Sequence, residues 1–428
     1  MTADEILSLA LLLAVFALAI WRDVNVGLVA LPAGLLLAKI TGVPGEKALA
    51  AFPVQIVVLI IGVMYLFGHA QRSGAIDRLV HLVIRASGGR DWMLPWSMFL
   101  VGAVLSAIGT LPSATVAIVL PIAMRLARNR GMDPVIMAVV ACAGAGVGGF
   151  SPLSPWGAIV RQLAEKQGAD FSPTGLFLGL AAIKTCTAIL TYFLLKKFIR
   201  RGGTAPAPVS PDQTSDQAAA QAAAQAAAPL SRYELGSMAG IGAFLVMVLA
   251  FGMNPLFASL LVGLVLHLVF KPDTRRVIGD LPWGVVILTA GVLVYVGVLE
   301  RVGTLDTLAG HLGGIDAALL TVLAIAYLAA LFATVESSTV AVLGVIIPLT
   351  ATALPDQSSA GFTALLVAIC GVIGAVGISP MHLGGGLVLA NTSEDENPRV
   401  FRWLLGISLV AALVLPMLLL LVPLGVGV

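Results

Sequence analysis

Four short stretches gather polar residues, prolines and glycines inside this chain's apolar runs. Residues 109–115 read GTLPSAT and 333–339 read ATVESST. Residues 149–157 read GFSPLSPWG and 377–385 read GISPMHLGG. Hydroxyl oxygens and exposed backbone can hold a carboxylate, or a cation through oxygen. Proline removes a donor and ends a helix, and glycine lets a ligand or another backbone come close. The candidate binding residues are therefore Ser113, Thr115, Ser337, Ser338 and Thr339 in the first pair, and Ser151, Ser154, Gly157, Ser379, His382 and Gly385 in the second. Helices restarting near Gly157 and Gly385 would present free N–H groups and a partial positive charge, which suits an anion. His382 titrates near neutral pH and can pair with an anion. Glu336 is the one carboxylate at these sites and is the candidate ion-coupling residue, binding a cation or carrying a proton. Lys184 lies mid-run, where it could balance a buried acid or attract substrate; it is expected to pack against protein with its stem snorkelling.

The elements that must position these residues are membrane helices. The chain of 428 residues is 59% hydrophobic and 11% charged, against roughly 25% charged in an ordinary soluble domain. Apolar runs recur from residue 6 to residue 425, several near the ~20 residues that span a bilayer core. No small-residue cleavage site follows the first run, which therefore reads as a retained helix. A net charge of +2 argues against nucleic acid as a partner. Cys142, Cys186 and Cys370 sit inside apolar runs with no metal or disulfide spacing. Residues 201–236 carry a Pro/Ser stretch and a QAAA repeat, a surface linker without chemistry.

The two halves repeat each other. Pro53 aligns with Pro282, and in the same register Gly62 meets Gly291, Gly68 meets Gly297, Arg72 meets Arg301, Gly74 meets Gly303 and Asp77 meets Asp306. The stretches SATVAIVLP and SSTVAVLGVIIP follow, then the two serine-proline breaks. Each half reads as three spans, an interfacial amphipathic helix over 73–89, a re-entrant hairpin, a broken span and a last span. Five crossings is an odd number, so the halves are inverted. With the amino terminus outside, most of the 24 lysines and arginines fall in cytoplasmic loops, as the positive-inside rule requires. The expected fold is all-α and polytopic, two inverted repeats of five transmembrane helices plus a re-entrant hairpin, in the cell membrane. Both termini and the 41–52 loop lie outside and the central linker is cytoplasmic. Irregular backbone survives at membrane depth only where it lines a polar cavity. Inverted halves with broken helices mark a secondary transporter.

In this arrangement the chain resembles the divalent anion/sodium symporters, in particular the malonate-type dicarboxylate carriers, within the wider ion transporter superfamily. The resemblance spans most of the chain outside 201–236. Those symporters carry Ser-Asn-Thr at both hairpin tips, where this chain has Ser113-Ala114-Thr115 and Ser337-Ser338-Thr339. The resemblance implies that Ser113, Thr115, Ser337 and Thr339 touch a substrate carboxylate or a sodium ion. It implies no organic cofactor, and a homodimer working as an elevator. The scaffold would be residues 1–72 and 238–301, and the moving part 92–200 and 317–428. The substrate class would be small organic anions, dicarboxylates first, driven by sodium or protons.

Two transporter alternatives stay open: a cation/proton antiporter of the same superfamily, and the large membrane subunit of a binding-protein-dependent transporter. The first would carry several acids at its breaks, and here only Glu336 is near. An intramembrane hydrolase would need a nucleophile and base; Ser379 and His382 are close in sequence, but no GxSxG or protease signature accompanies them. The chain is read as a non-enzyme.

Overall fold

The computed structural model describes residues 1–22, 24–86, 90–201, 229–313, 318–336, 338–355 and 357–426. The described residues are helical throughout their regular structure. The first half contains α1 (Ala3–Arg22), α2 (Val26–Ile40), the short α3 (Gly45–Leu49), α4 (Val54–Ser73) and α5 (Ala75–Ala86). It continues with α6 (Leu94–Ala107), α7 (Pro112–Asn129), α8 (Pro134–Gly148), α9 (Pro155–Lys166) and α10 (Pro173–Arg201). The second half repeats this order as α11 (Arg232–Leu249), α12 (Pro255–Phe270), α13 (Thr274–Gly279), α14 (Trp283–Val302) and α15 (Thr304–Gly313). It ends with α16 (Ala318–Val335), α17 (Thr339–Ala353), α18 (Ser359–Val376), α19 (Leu383–Ala390), α20 (Asn397–Leu419) and a tail helix, α21 (Leu421–Val426). Among the described residues, 7 helices are long and apolar enough to cross a membrane. The chain is a polytopic all-helical membrane protein. The segment 41–52, expected as a loop, holds α3; Pro44 precedes its first turn and presets the backbone there.

The repeat reaches the level of caps. At the start of α1, the Glu5 side chain accepts from the Thr2 N–H and the Thr2 hydroxyl accepts from the Glu5 N–H. At the start of α11, Ser231 and Glu234 make the same reciprocal pair. Asn25 caps α2 and Asn254 caps α12. Both α4 and α14 end on a left-handed glycine, Gly74 at φ 85° and Gly303 at φ 86°, a conformation that residues with a Cβ rarely adopt. Each turns the chain directly into the next helix, α5 or α15.

Packing crosses between the halves. Helix α2 lies on α14, and its repeat counterpart α12 lies on α4. Helix α9 lies on α17, and α19 lies on α7. Each helix after a break therefore rests on the hairpin of the opposite repeat. Within the first half, α6 and α8 approach through glycine: a Cβ at Gly144 would strike the backbone of Phe99, and one at Gly148 the backbone of Ala103. Small residues let membrane helices exchange close van der Waals contact where lipid supplies no hydrophobic drive. Ion pairs also join the halves: Arg72 to Asp280 at 2.7 Å, Arg78 to Glu234 at 3.3 Å, and Arg399 to Asp133.

Candidate functional site

Hairpin α6–α7 turns over Ile108–Leu111, and Pro112 is the first residue of α7. Proline suits that position, because its missing N–H would have no helical partner there. The tip expected at LPSAT is thus one step earlier, and Ser113 and Thr115 sit in the first turn of α7. In the second hairpin, α16 ends at Val335 and α17 starts at Thr339, with Glu336 and Ser338 between them. Ser337 lies outside the described residues.

The breaks follow α8 and α18. In the first, Ser151 accepts from the Ser154 N–H through its carbonyl at 2.9 Å, and α9 restarts at Pro155. In the second, the Ser379 carbonyl accepts from the His382 N–H at 2.9 Å, and α19 restarts at Leu383. The new helices start two residues before the expected glycines. Gly157 and Gly385 have a different task. A Cβ on either would run into the carbonyl of Ser151 or Ser379, so each glycine lets the unwound segment fold back onto its own helix.

A single cavity of about 540 Å³ gathers the first turns of all these restarted helices. Its lining includes Pro112 and Ser113 of α7, Trp156 of α9, Thr339 of α17, and His382 with Leu383 at α19. Ser338 joins them. Four helix N-termini face one space, each worth roughly half a positive charge. Of the sequence candidates, Ser113, Ser338, Thr339 and His382 line this cavity; Thr115, Ser151, Ser154, Gly157, Ser379, Gly385 and Glu336 are not on its wall. The other end of the cavity runs between α10 and α20, where Leu190, Leu194, Val410 and Val414 line it.

The two repeats use their hydroxyls differently. In the first, the Ser106 hydroxyl donates to the Thr115 hydroxyl at 3.0 Å and closes α6 onto α7. The hydroxyls of Thr110 and Ser154 are buried with no hydrogen-bond partner among the described residues. In the second, the Thr339 hydroxyl lies 3.3 Å from Nε2 of His382, whose Nδ1 accepts from the Gly384 N–H at 3.3 Å. His382 therefore ties hairpin to break while capping α19. Glu336 is 3% exposed, and its Oε1 accepts from the Ser338 N–H at 3.2 Å, capping the entry to α17.

Lys184 corrects the expectation of a snorkelling side chain. It is 5% exposed, lines the cavity, and stands 5.4 Å from the ring of Phe150. A Cβ built on Gly146 would lie 3.3 Å from its Nζ, and one on Gly374 would fall on the ammonium itself. Its place in the middle of an apolar run was the available signal, but a lone sequence cannot say which face of α10 meets the protein. Arg161, by contrast, faces outward, 3.7 Å from Glu165.

Two repeated halves, with paired hairpins and paired broken spans around one cavity, define a polytopic membrane transporter. The chain belongs to the citrate transporter family, CitMHS, whose match covers residues 16–374, and so to the ion transporter superfamily. Its fold is similar to that in the "Crystal structure of the Alcanivorax borkumensis YdaH transporter reveals an unusual topology", with a TM-score of 0.56 and 17% identity over 89% of this chain and 88% of that one. No curated protein matches the chain.

Proposed function

We propose that the protein is a secondary active transporter of small organic polycarboxylates, with citrate the first candidate and the malonate-type dicarboxylates the second. The observation that carries this reading is the meeting of the N-termini of α7, α9, α17 and α19 at one cavity. Together they present roughly two positive charges' worth of dipole, and free N–H groups there donate to carboxylate oxygens. Ser113, Ser338, Thr339 and His382 supply the side-chain donors. The family description, citrate transporter, supports the same substrate class.

Transport proceeds by alternating access, with α1–α4 and α11–α14 as a scaffold, the hairpins and broken spans as the moving part, and a homodimer as the working assembly. Coupling is to sodium or to protons. A sodium ion needs oxygen ligands. The orphan hydroxyls of Thr110 and Ser154 suit it in the first repeat, and the Glu336 carboxylate suits it in the second. Thr115 contributes less to such a site, because its hydroxyl already accepts from Ser106. If protons drive the cycle, Glu336 carries them. The working orientation places both termini outside and the central linker in the cytoplasm of a cell whose plasma membrane holds the protein.

The test is uptake into liposomes containing the purified protein alone. Labelled citrate, malonate and succinate are offered with sodium and proton gradients imposed separately. Gradient-dependent accumulation of any of them supports the reading. Transport that requires an added soluble protein points to a binding-protein-dependent system, and cation exchange without anion uptake points to an antiporter.

A further inference from the structure

Lys184 sits in the middle of a membrane-spanning helix, α10, with its ammonium inside the protein. Burying an unpaired charge in a membrane core costs several kcal/mol by general estimates. Such a group persists where a partner arrives to meet it. Among the described residues no carboxylate lies within ion-pair distance of Lys184, and its ammonium stands over the face of Phe150. A cation–π contact of this kind offsets only part of a buried charge's cost.

The position of the ammonium is specific. It lies beside Gly146 of α8 and Gly374 of α18. These glycines are repeat counterparts, each standing the same distance ahead of its serine-proline break. The ammonium thus stands between the two broken spans, each of which packs against α10. The charge comes from one repeat alone, since α20, the counterpart of α10, has no ionisable residue after Arg402. Both glycines matter to this fit, since a side chain at either would crowd the amine. Phe150 faces the amine and Cys142 shares the cavity wall with it, and neither carries a negative charge to neutralise it.

We propose that Lys184 is the resident counter-charge of the transported anion. It receives one carboxylate of a substrate that has at least two, while the helix N-termini and hydroxyls across the same cavity hold another. This rests on the reading of the cavity as the substrate site and adds a specificity rule to it. The protein selects polycarboxylates over monocarboxylates because a monocarboxylate cannot satisfy the ammonium and the helix ends together.

The experiment compares the unmodified protein with Lys184→Met, Lys184→Arg and Gly374→Ala in liposomes, using citrate, succinate and acetate as probes, alongside thermal unfolding in detergent. Methionine keeps the length and removes the charge. The expected result is a KM for citrate or succinate at least tenfold higher in Lys184→Met, with an unfolding temperature equal to or above that of the unmodified protein. Gly374→Ala keeps the lysine but places a methyl where the ammonium stands, and it should raise KM in the same direction. Lys184→Arg should recover part of the loss. An unchanged KM in Lys184→Met, or normal uptake by Gly374→Ala, overturns the proposal while leaving the transport reading intact. A lower unfolding temperature in Lys184→Met assigns the residue to packing and also overturns it. Failure of the unmodified protein to take up any of the three anions overturns the transport reading and this proposal with it.

Discussion

Replacing Glu336 by glutamine removes one charge from the second hairpin and keeps the side chain's length. The amide oxygen can still accept from the Ser338 N–H, so the 3.2 Å cap on α17 survives in neutral form. Losing the charge at a helix N-terminus costs up to about 2 kcal/mol in a partly buried setting. Against that, a carboxylate that is 3% exposed carries a desolvation cost of several kcal/mol, which the amide largely avoids. The two effects offset, and the fold should be as stable as before or slightly more so. Coupling should change far more. A gradient of one pH unit supplies about 1.4 kcal/mol, enough for tenfold accumulation per proton carried. With the coupling group gone, Glu336→Gln should bring that ratio to about one. Counterflow exchange with equal substrate and ions on both sides then separates the mechanisms. Exchange persists if Glu336 carries a proton, because the neutral amide mimics the loaded form, and it falls if Glu336 ligates sodium. Accumulation at the unmodified level under every gradient would refute the reasoning, leaving Glu336 as a cap and nothing more.

Gly157→Ala and Gly385→Ala should each lower stability by about 1–3 kcal/mol, since the new methyl meets the Ser151 or Ser379 carbonyl; thermal unfolding in detergent measures this, and wild-type stability would refute the folded-back geometry of the breaks. Ser106→Ala should cost about 1 kcal/mol by releasing Thr115, and an unchanged unfolding temperature would show that the hydroxyl pair does not brace the hairpin. Single cysteines introduced at 205–225 should resist a membrane-impermeant thiol reagent in intact cells, whereas strong labelling there would reverse the orientation given by the lysines and arginines.

Much of the architecture could be read in advance because apolar length and the repeat are properties of the linear chain. The alignment of Gly74 with Gly303 marked matching positions, which the structure shows as two left-handed helix ends, and the pairing of GFSPL with GISPM foretold two broken spans. The reciprocal caps at Thr2–Glu5 and Ser231–Glu234 extend the same repeat and were also readable, since Ser/Thr-x-x-Glu ahead of an apolar run is a local signal. The site was less legible. Ser113 and Thr115 look equivalent on paper, yet a helical rotation between them turns Ser113 to the cavity and Thr115 to Ser106. The glycines at the breaks looked like ligand contacts, and they turned out to accommodate carbonyls from their own segments. Lys184 was expected to pack against protein but also to snorkel, and only its burial could not be read: whether a charge in a membrane helix faces lipid, headgroup or protein depends on which neighbours α10 meets, and those neighbours come from both halves of the chain.

The crossed seating of α9 on α17 and of α19 on α7 has a consequence for biogenesis. When the ribosome has delivered only the first half, α9 and the unwound segment before it have α4 and α10 to rest on but lack α17, their main partner. The nascent protein must hold a polar interruption at bilayer depth until the last hairpin arrives. A truncated product ending at the linker would keep that interruption permanently uncovered, a defect that membrane proteases and insertion chaperones can recognise.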